Sequence, residues 1–199
     1  RPILSGRTCP TVEISRFLDI HLRPLVVEQP PYLKDTTDFI LFIENLNSQG
    51  PLPPGSLIVT ADVSALYTNI PHKDGLEACQ KALDKRSNQS PPTQDLIHLL
   101  ELVLTLNNFS FNDTHYIQVR GTAMGSPVAP SYANLFMGDL EKDLLDSAPS
   151  RPHCWKRFID DIFLFSLLFF TQWRWLSSLI FWLDHLIERI VYIENLWYL

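Results

Sequence analysis

Apolar Ile14, Phe17, Leu18 and Leu22 recur at helical spacing, which predicts an amphipathic helix over residues 11–24. Beyond the Pro30-Pro31 loop a second helix is expected over residues 38–46, with Thr36 and Thr37 as candidate caps. The period then changes. The run Ser56-Leu-Ile-Val-Thr-Ala-Asp62-Val63 is β-rich, follows a Pro/Gly loop and closes on an acid, the pattern of a buried strand that delivers a carboxylate. Helical spacing returns over residues 74–83 and 93–106, and the alternation around Asn112-Asp113, between Asn107 and Arg120, predicts a β-hairpin. Residues 121–130 form a loop of small residues from which a helix over 131–145 is expected to emerge. Residues 157–165 are an apolar β-run interrupted by Asp160 and Asp161. From Phe165 onward the character shifts again: four of the five tryptophans fall there, and Leu176, Leu179, Ile180, Leu183, Ile187, Ile190 and Val191 form one face of an expected amphipathic helix. Arg174 interrupts that apolar stretch before it reaches the roughly 20 residues a membrane span needs, so no span is expected.

Composition narrows the classes. A chain of 199 residues, 46% hydrophobic and 19% charged, can bury one ordinary core and is not a disordered tail or linker. Its fifteen prolines against seven glycines cluster between the periodic blocks, where they mark loops. A formal net charge of −6 excludes the strongly basic character of a stand-alone nucleic-acid-binding domain. Cys9, Cys79 and Cys154 are far apart and form no CxxC pair, which suggests neither a disulfide framework nor a zinc site and fits a reducing, intracellular setting. The chain opens at Arg1 with neither methionine nor a signal-like segment, as an internal piece of a longer protein would.

Three features carry candidate chemistry. Asp62 closes a strand, where it is either a cap for the following turn or a functional carboxylate. Asp160 and Asp161 interrupt an apolar run and are costly there unless they stand at a solvated hairpin tip or serve a purpose. Such a tip at a sheet edge can meet an acid from a neighbouring strand, and the oxygens together suit a hard divalent cation. The third feature is Gly121-Thr-Ala-Met-Gly125-Ser126-Pro127, a loop that lets backbone approach a flat or phosphorylated ligand but matches neither the dinucleotide fingerprint nor the P-loop.

In this order the three features resemble the palm motifs of reverse transcriptases. The segment from Leu57 through Asp62 and Tyr67 to Pro71 resembles motif A, the segment from Gly121 through Gly125 and Asn134 to Phe136 resembles motif B, and Phe158-Ile-Asp160-Asp161-Ile-Phe163 resembles motif C. The wording Leu66-Tyr-Thr-Asn-Ile-Pro71, with Gly121-Thr-Ala-Met-Gly125 and Ala133-Asn-Leu135, is most similar to Penelope-like retroelements, and the likeness covers roughly residues 1–165.

The resemblance implies an α+β fold, a palm-like antiparallel sheet with helices packed on one face, a partial fingers region and a divergent helical tail. It implies residues 1–55 as fingers remnant and connection, 56–165 as palm and 166–199 as hydrophobic tail. The implied activity is RNA-directed DNA synthesis by two-metal nucleotidyl transfer, with an RNA template, a DNA primer and dNTP as partners, inside the cell in nucleus or cytoplasm. Asp62 and Asp160 would hold two Mg2+ or Mn2+ ions, with Asp161 as a supporting acid and no small-molecule cofactor. Backbone groups of Ser64, Ala65 and Leu66 would meet the triphosphate, and Tyr67 would stand at the sugar gate. Gly125, Ser126 and Pro127 would shape the floor under the templating pair, near Arg120, and Arg1 would contact dNTP phosphates. Lys156 and Arg157 would approach the primer or form a solvated surface pair.

The basic fingers motif is missing, and the segment after Phe165 does not read as primer grip and thumb. A weak or inactive polymerase is therefore expected. Two readings from other classes stay open, a non-catalytic palm-fold relic or binding module and a membrane-associated protein attached through residues 165–199, and within the enzyme class a telomerase-like or group II intron-like polymerase is a narrower alternative that the motif wording disfavours.

Overall fold

The computed structural model describes residues 9–52, 56–148, 151–167 and 187–193. Along the chain these form helices α1 (Val12–Val27) and α2 (Thr36–Ser48), strand β1 (Ser56–Val63), the single turn α3 (Leu66–Asn69), and helices α4 (His72–Leu83) and α5 (Thr93–Thr105). A short hairpin follows, β2 (Asn108–Phe111) and β3 (Thr114–Ile117), then α6 (Ala129–Ser147) and strands β4 (Cys154–Phe158), β5 (Asp161–Leu167) and β6 (Ile187–Ile193). The architecture is α+β, an antiparallel sheet with helices, as expected. It divides into two compact units, Arg1–Gln29 with Ala65–Leu140, and Pro30–Ser64 with Glu141–Leu199.

The first unit is helical. α1 buries Leu18, Leu22 and Val26, α4 buries Ala78, Cys79 and Leu83, and α5 buries Leu96, Leu100, Val103 and Leu104, the i, i+3, i+4 stripes that the apolar spacing anticipates. α1, α4 and α5 pack mutually. At Gly75 of α4, Tyr132 of α6 occupies the space a Cβ would fill. The β2–β3 hairpin turns on Asn112 and Asp113, with φ of 47° and 56°. Two successive left-handed residues are what a type I′ turn demands, and Asn and Asp tolerate that conformation best after glycine.

The second unit is built on a sheet of order β4-β5-β1-β6, all neighbours antiparallel. Side chains alternate between its two faces. Val59, Val63, Trp155, Ile162 and Leu164 lie on the buried face, where the Glu141 end of α6 reaches Trp155 and Arg157. α2 adds a helix on the opposite face, with Phe39 edge-on to Phe163 at 5.1 Å and Phe42 beneath the Lys156 ammonium. The free edge of β4 is covered at Arg157, whose N–H donates to the Pro31 carbonyl at 2.7 Å and whose carbonyl accepts from Leu33 N–H at 2.9 Å.

Two local expectations are corrected. The cap of α2 is Asp35, whose side chain accepts from Asp38 N–H, while Thr36 and Thr37 lie inside the helix. Residues 187–193 are a strand, where a helical face through Ile187, Ile190 and Val191 was expected. Ile-Glu-Arg-Ile-Val-Tyr-Ile is rich in β-branched and aromatic residues, and β1 offers an unpaired backbone edge that a helix cannot satisfy. The rest of the expected tail helix, like Arg1, lies outside the described residues.

Candidate active site

The three acids belong to the second unit. Antiparallel pairing of β1 with β5 sets Asp62 directly opposite Asp161, and pairing with β6 sets it opposite Arg189 on its other side, next to a bulge at the Asp62–Val63 step. Register partners share a face, so Asp62 and Asp161 share the face that carries Phe163 and packs against α2. Asp160 sits in the two-residue turn between β4 and β5, and its carbonyl accepts from Val63 N–H at 3.0 Å. The expected acidic hairpin is therefore present, with the strand-end acid beside it.

The preceding turn residue, Ile159, has φ of 56°. A two-residue hairpin whose first central residue is left-handed is the II′ arrangement, normally filled by glycine, and a β-branched residue there is strained. Such strain collects where a site dictates backbone position.

Electrostatics ties the acids together. The Asp161 carboxyl is pushed above its ordinary value, first by partial desolvation against the sheet and then by the like charges of Asp160 and Asp62. Asp62 is not used as a cap: the turn α3 starts after Ala65, with no side-chain cap bond. Among the described residues no three acidic, histidine or cysteine side chains converge into a group that holds an ion by itself. The donor set is nonetheless all hard oxygen, and Mg2+ sites on nucleotide-handling proteins characteristically take one or two carboxylates and complete the shell with water and phosphate oxygens. Asp62, Asp160 and Asp161 fit that chemistry.

The loop features belong to the first unit, and there the structure joins two segments that are far apart in sequence. Thr122 N–H donates to the Tyr67 carbonyl at 2.6 Å, Gly121 N–H to the Ile70 carbonyl at 3.0 Å, and Arg120 Nε to the Asn69 carbonyl at 3.1 Å. His72 Nε2 lies 2.7 Å from the Gly121 carbonyl. Gly121 itself has φ of 70°, and a Cβ there would strike the Tyr67 carbonyl, so this contact requires glycine. Ala65 is left-handed at φ 50°, Leu66 is buried and Tyr67 half-buried. Gly125, Ser126 and Pro127 are half-buried and Arg120 is exposed. Ser64, half-buried, is the last residue of the second unit before this turn.

The loop is also held from α1, by residues outside the candidate motifs. Ser15 Oγ lies 2.7 Å from Ser126 Oγ and accepts from Val128 N–H at 3.0 Å, and Asp19 Oδ1 accepts from Ser131 Oγ at 2.5 Å. Ser15 and Asp19 are four apart on the buried stripe of an amphipathic helix. A polar pair in that stripe must be hydrogen-bonded, and that was the available signal. Arg157 is the other correction. It is neither a solvated surface residue nor free to approach a primer, because it is fully buried against Glu141.

Residues 16–167 match the family described as reverse transcriptase (RNA-dependent DNA polymerase). A search of curated proteins finds no match. Among solved structures, telomerase from Candida albicans in complex with the TWJ fragment of telomeric RNA superposes with a TM-score of 0.71 at 10% identity, over 96% of this chain and 35% of that one. Apo telomerase from Candida tropicalis gives 0.70 at 9% identity, over 96% and 37%. The same enzyme truncated from its C-terminal domain gives 0.64 at 12%, over 94% and 41%. The chain thus spans well under half the length of these structures, and at such identities the likeness is one of fold.

Proposed function

From the premise that this chain belongs to the reverse transcriptase family, we propose that it is the palm-bearing part of an RNA-directed DNA polymerase of a Penelope-like retroelement, working inside the cell on RNA template, DNA primer and dNTP. The observation that carries the reading is the β1–β5 register, which sets Asp62 opposite Asp161 with Asp160 in the adjoining turn. The Penelope-like assignment rests on the wording of residues 66–71 and 121–135.

In this reading Asp62 and Asp160 hold two Mg2+ or Mn2+ ions and Asp161 supports them. The ions supply activation of the primer 3′-hydroxyl and neutralisation of the leaving pyrophosphate. The chain's own groups bind and orient. Backbone groups of Ser64, Ala65 and Leu66 receive the triphosphate, and Tyr67 packs beneath the sugar and rejects a 2′-hydroxyl. Gly125, Ser126 and Pro127 underlie the templating pair, with Arg120 beside them. Residues 1–55 act as fingers and connection, with Arg1 at the dNTP phosphates, and 166–199 follow the palm 56–165. A catalytically silent palm, which keeps the fold without the chemistry, is the second reading.

The test is Mg2+- or Mn2+-dependent dNTP incorporation on a primed RNA template by three proteins: the chain, its Asp160→Asn variant, and a version extended with fingers and thumb from a related element. Signal in the chain that disappears with Asp160→Asn establishes the polymerase. Signal confined to the extended protein identifies a competent palm that needs clamping segments to hold its substrate. If both proteins fold and neither makes product, the silent palm takes its place.

A further inference from the structure

Arg157 is fully buried in the second unit, an uncommon place for a guanidinium, and its fork points two ways. Nε donates to Glu141 Oε1 at 2.8 Å, an oxygen that also accepts from Trp155 Nε1 at 2.9 Å. Nη1 donates to the Ile159 carbonyl at 3.0 Å. That carbonyl belongs to the left-handed residue of the acidic turn, immediately before Asp160. The main chain of Arg157 is fastened independently, through Pro31 and Leu33. The guanidinium therefore has a fixed root, a fixed counter-ion and, at Nη1, a hydrogen bond to a backbone group in a strained conformation.

We propose that Arg157, held by Glu141 and Trp155, is a positioning residue that latches the Ile159 carbonyl and so keeps the Asp160 carboxylate where a divalent cation is bound. The proposal rests on the polymerase reading for the identity of the cation, but the latch itself is a statement about the turn. Ile159 would leave the left-handed region if nothing restrained it, and each such change rotates the peptide that carries Asp160. Only a planar fork serves both ends. A lysine ammonium can keep the Glu141 charge pair, yet it is a point donor and does not span both oxygens.

The experiment uses the full chain with Mn2+ as probe. It compares wild type, Asp160→Asn, Arg157→Lys, Ile159→Gly and the Arg157→Lys/Ile159→Gly double variant, reading Mn2+ affinity by electron paramagnetic resonance and the sign of φ at residue 159 by backbone NMR. Arg157→Lys is expected to weaken Mn2+ binding about 10- to 100-fold, the range typical of lost outer-shell support, and to shift residue 159 out of the left-handed region. Adding Ile159→Gly is expected to restore most of the affinity, because glycine holds positive φ without a latch. A general loss of stability would not be repaired that way.

Unchanged affinity and unchanged residue 159 signals in folded Arg157→Lys overturn the proposal, as does failure of glycine to rescue. If wild type shows no Mn2+ binding that depends on Asp160, the metal reading fails, while a changed residue 159 in Arg157→Lys still upholds the latch. Should Arg157→Lys not fold, Glu141→Gln, which keeps the acceptor oxygen and removes its charge, is read in the same way.

Discussion

A carboxylate crowded by two others carries its own pH signature. Asp161 has a native pKa raised above its ordinary value of 3.8. In the window between the two values the native state binds more protons than the unfolded chain, so stability falls as pH rises through it and stays lowered above it. Asp161→Asn is therefore expected to raise the melting temperature at pH 7, with the gain vanishing below the ordinary carboxylate range. Thermal scans across pH check this, and a gain that persists at the acid end would remove desolvation and like-charge crowding of the carboxylate as its cause. Mg2+ is expected to stabilise the wild-type protein at neutral pH and to lose that effect in Asp62→Asn. At Gly121 the demand is steric: φ of 70° and the nearby Tyr67 carbonyl leave no room for a methyl group. Gly121→Ala is expected to cost about 1–3 kcal/mol for the backbone conformation alone, seen as a lower urea midpoint with unchanged m-value.

At the scale of elements, most of the regular structure was legible. The apolar spacing of α1, α4 and α5 and the Asn112-Asp113 turn are local signals, and local physics produces them. The exceptions have identifiable causes. The cap of α2 moved to Asp35 because an N-cap is chosen by which side chain reaches the first free N–H groups, and several candidates were adjacent. Asp35→Ala is expected to destabilise the protein by about 1 kcal/mol, whereas Thr36→Ala leaves it nearly unchanged; equal effects in denaturant titration would contradict the cap assignment. β6 departs from the helical expectation because a run of isoleucine and valine carries helical and strand spacing at once. The open edge of β1 decides between them.

For the molecule as a whole, each compact unit is assembled from two stretches separated along the chain, so the partners of a side chain are set by topology. Arg157 and Glu141 show the consequence: two charged residues that look solvated in sequence are 0% and 2% exposed at the side chain, as an ion pair 2.8 Å apart. Breaking such a pair strands a charge in the interior. Glu141→Leu alone is expected to cost about 3–5 kcal/mol, while Arg157→Met/Glu141→Leu recovers most of that stability. Calorimetry of the single and double variants measures the difference, and in the folded double variant the loss of the Ile159 latch remains visible in metal affinity.

The amphipathic helices, the strand that ends in Asp62, the hairpin that carries Asp160 and Asp161, and the family resemblance can all be read along the chain. All of these depend on residues within a few positions of one another. Which strand lies beside β1, that Asp62 faces Asp161, and that Tyr67 and Gly121 meet backbone to backbone emerge once the chain is folded. So do the holding of the small-residue loop by Ser15 and Asp19, and the burial of Arg157 behind the acids. Each of those depends on contacts between segments distant in the chain, where burial can reverse a residue's meaning: a charge that costs nothing in water must find a partner once the core closes around it.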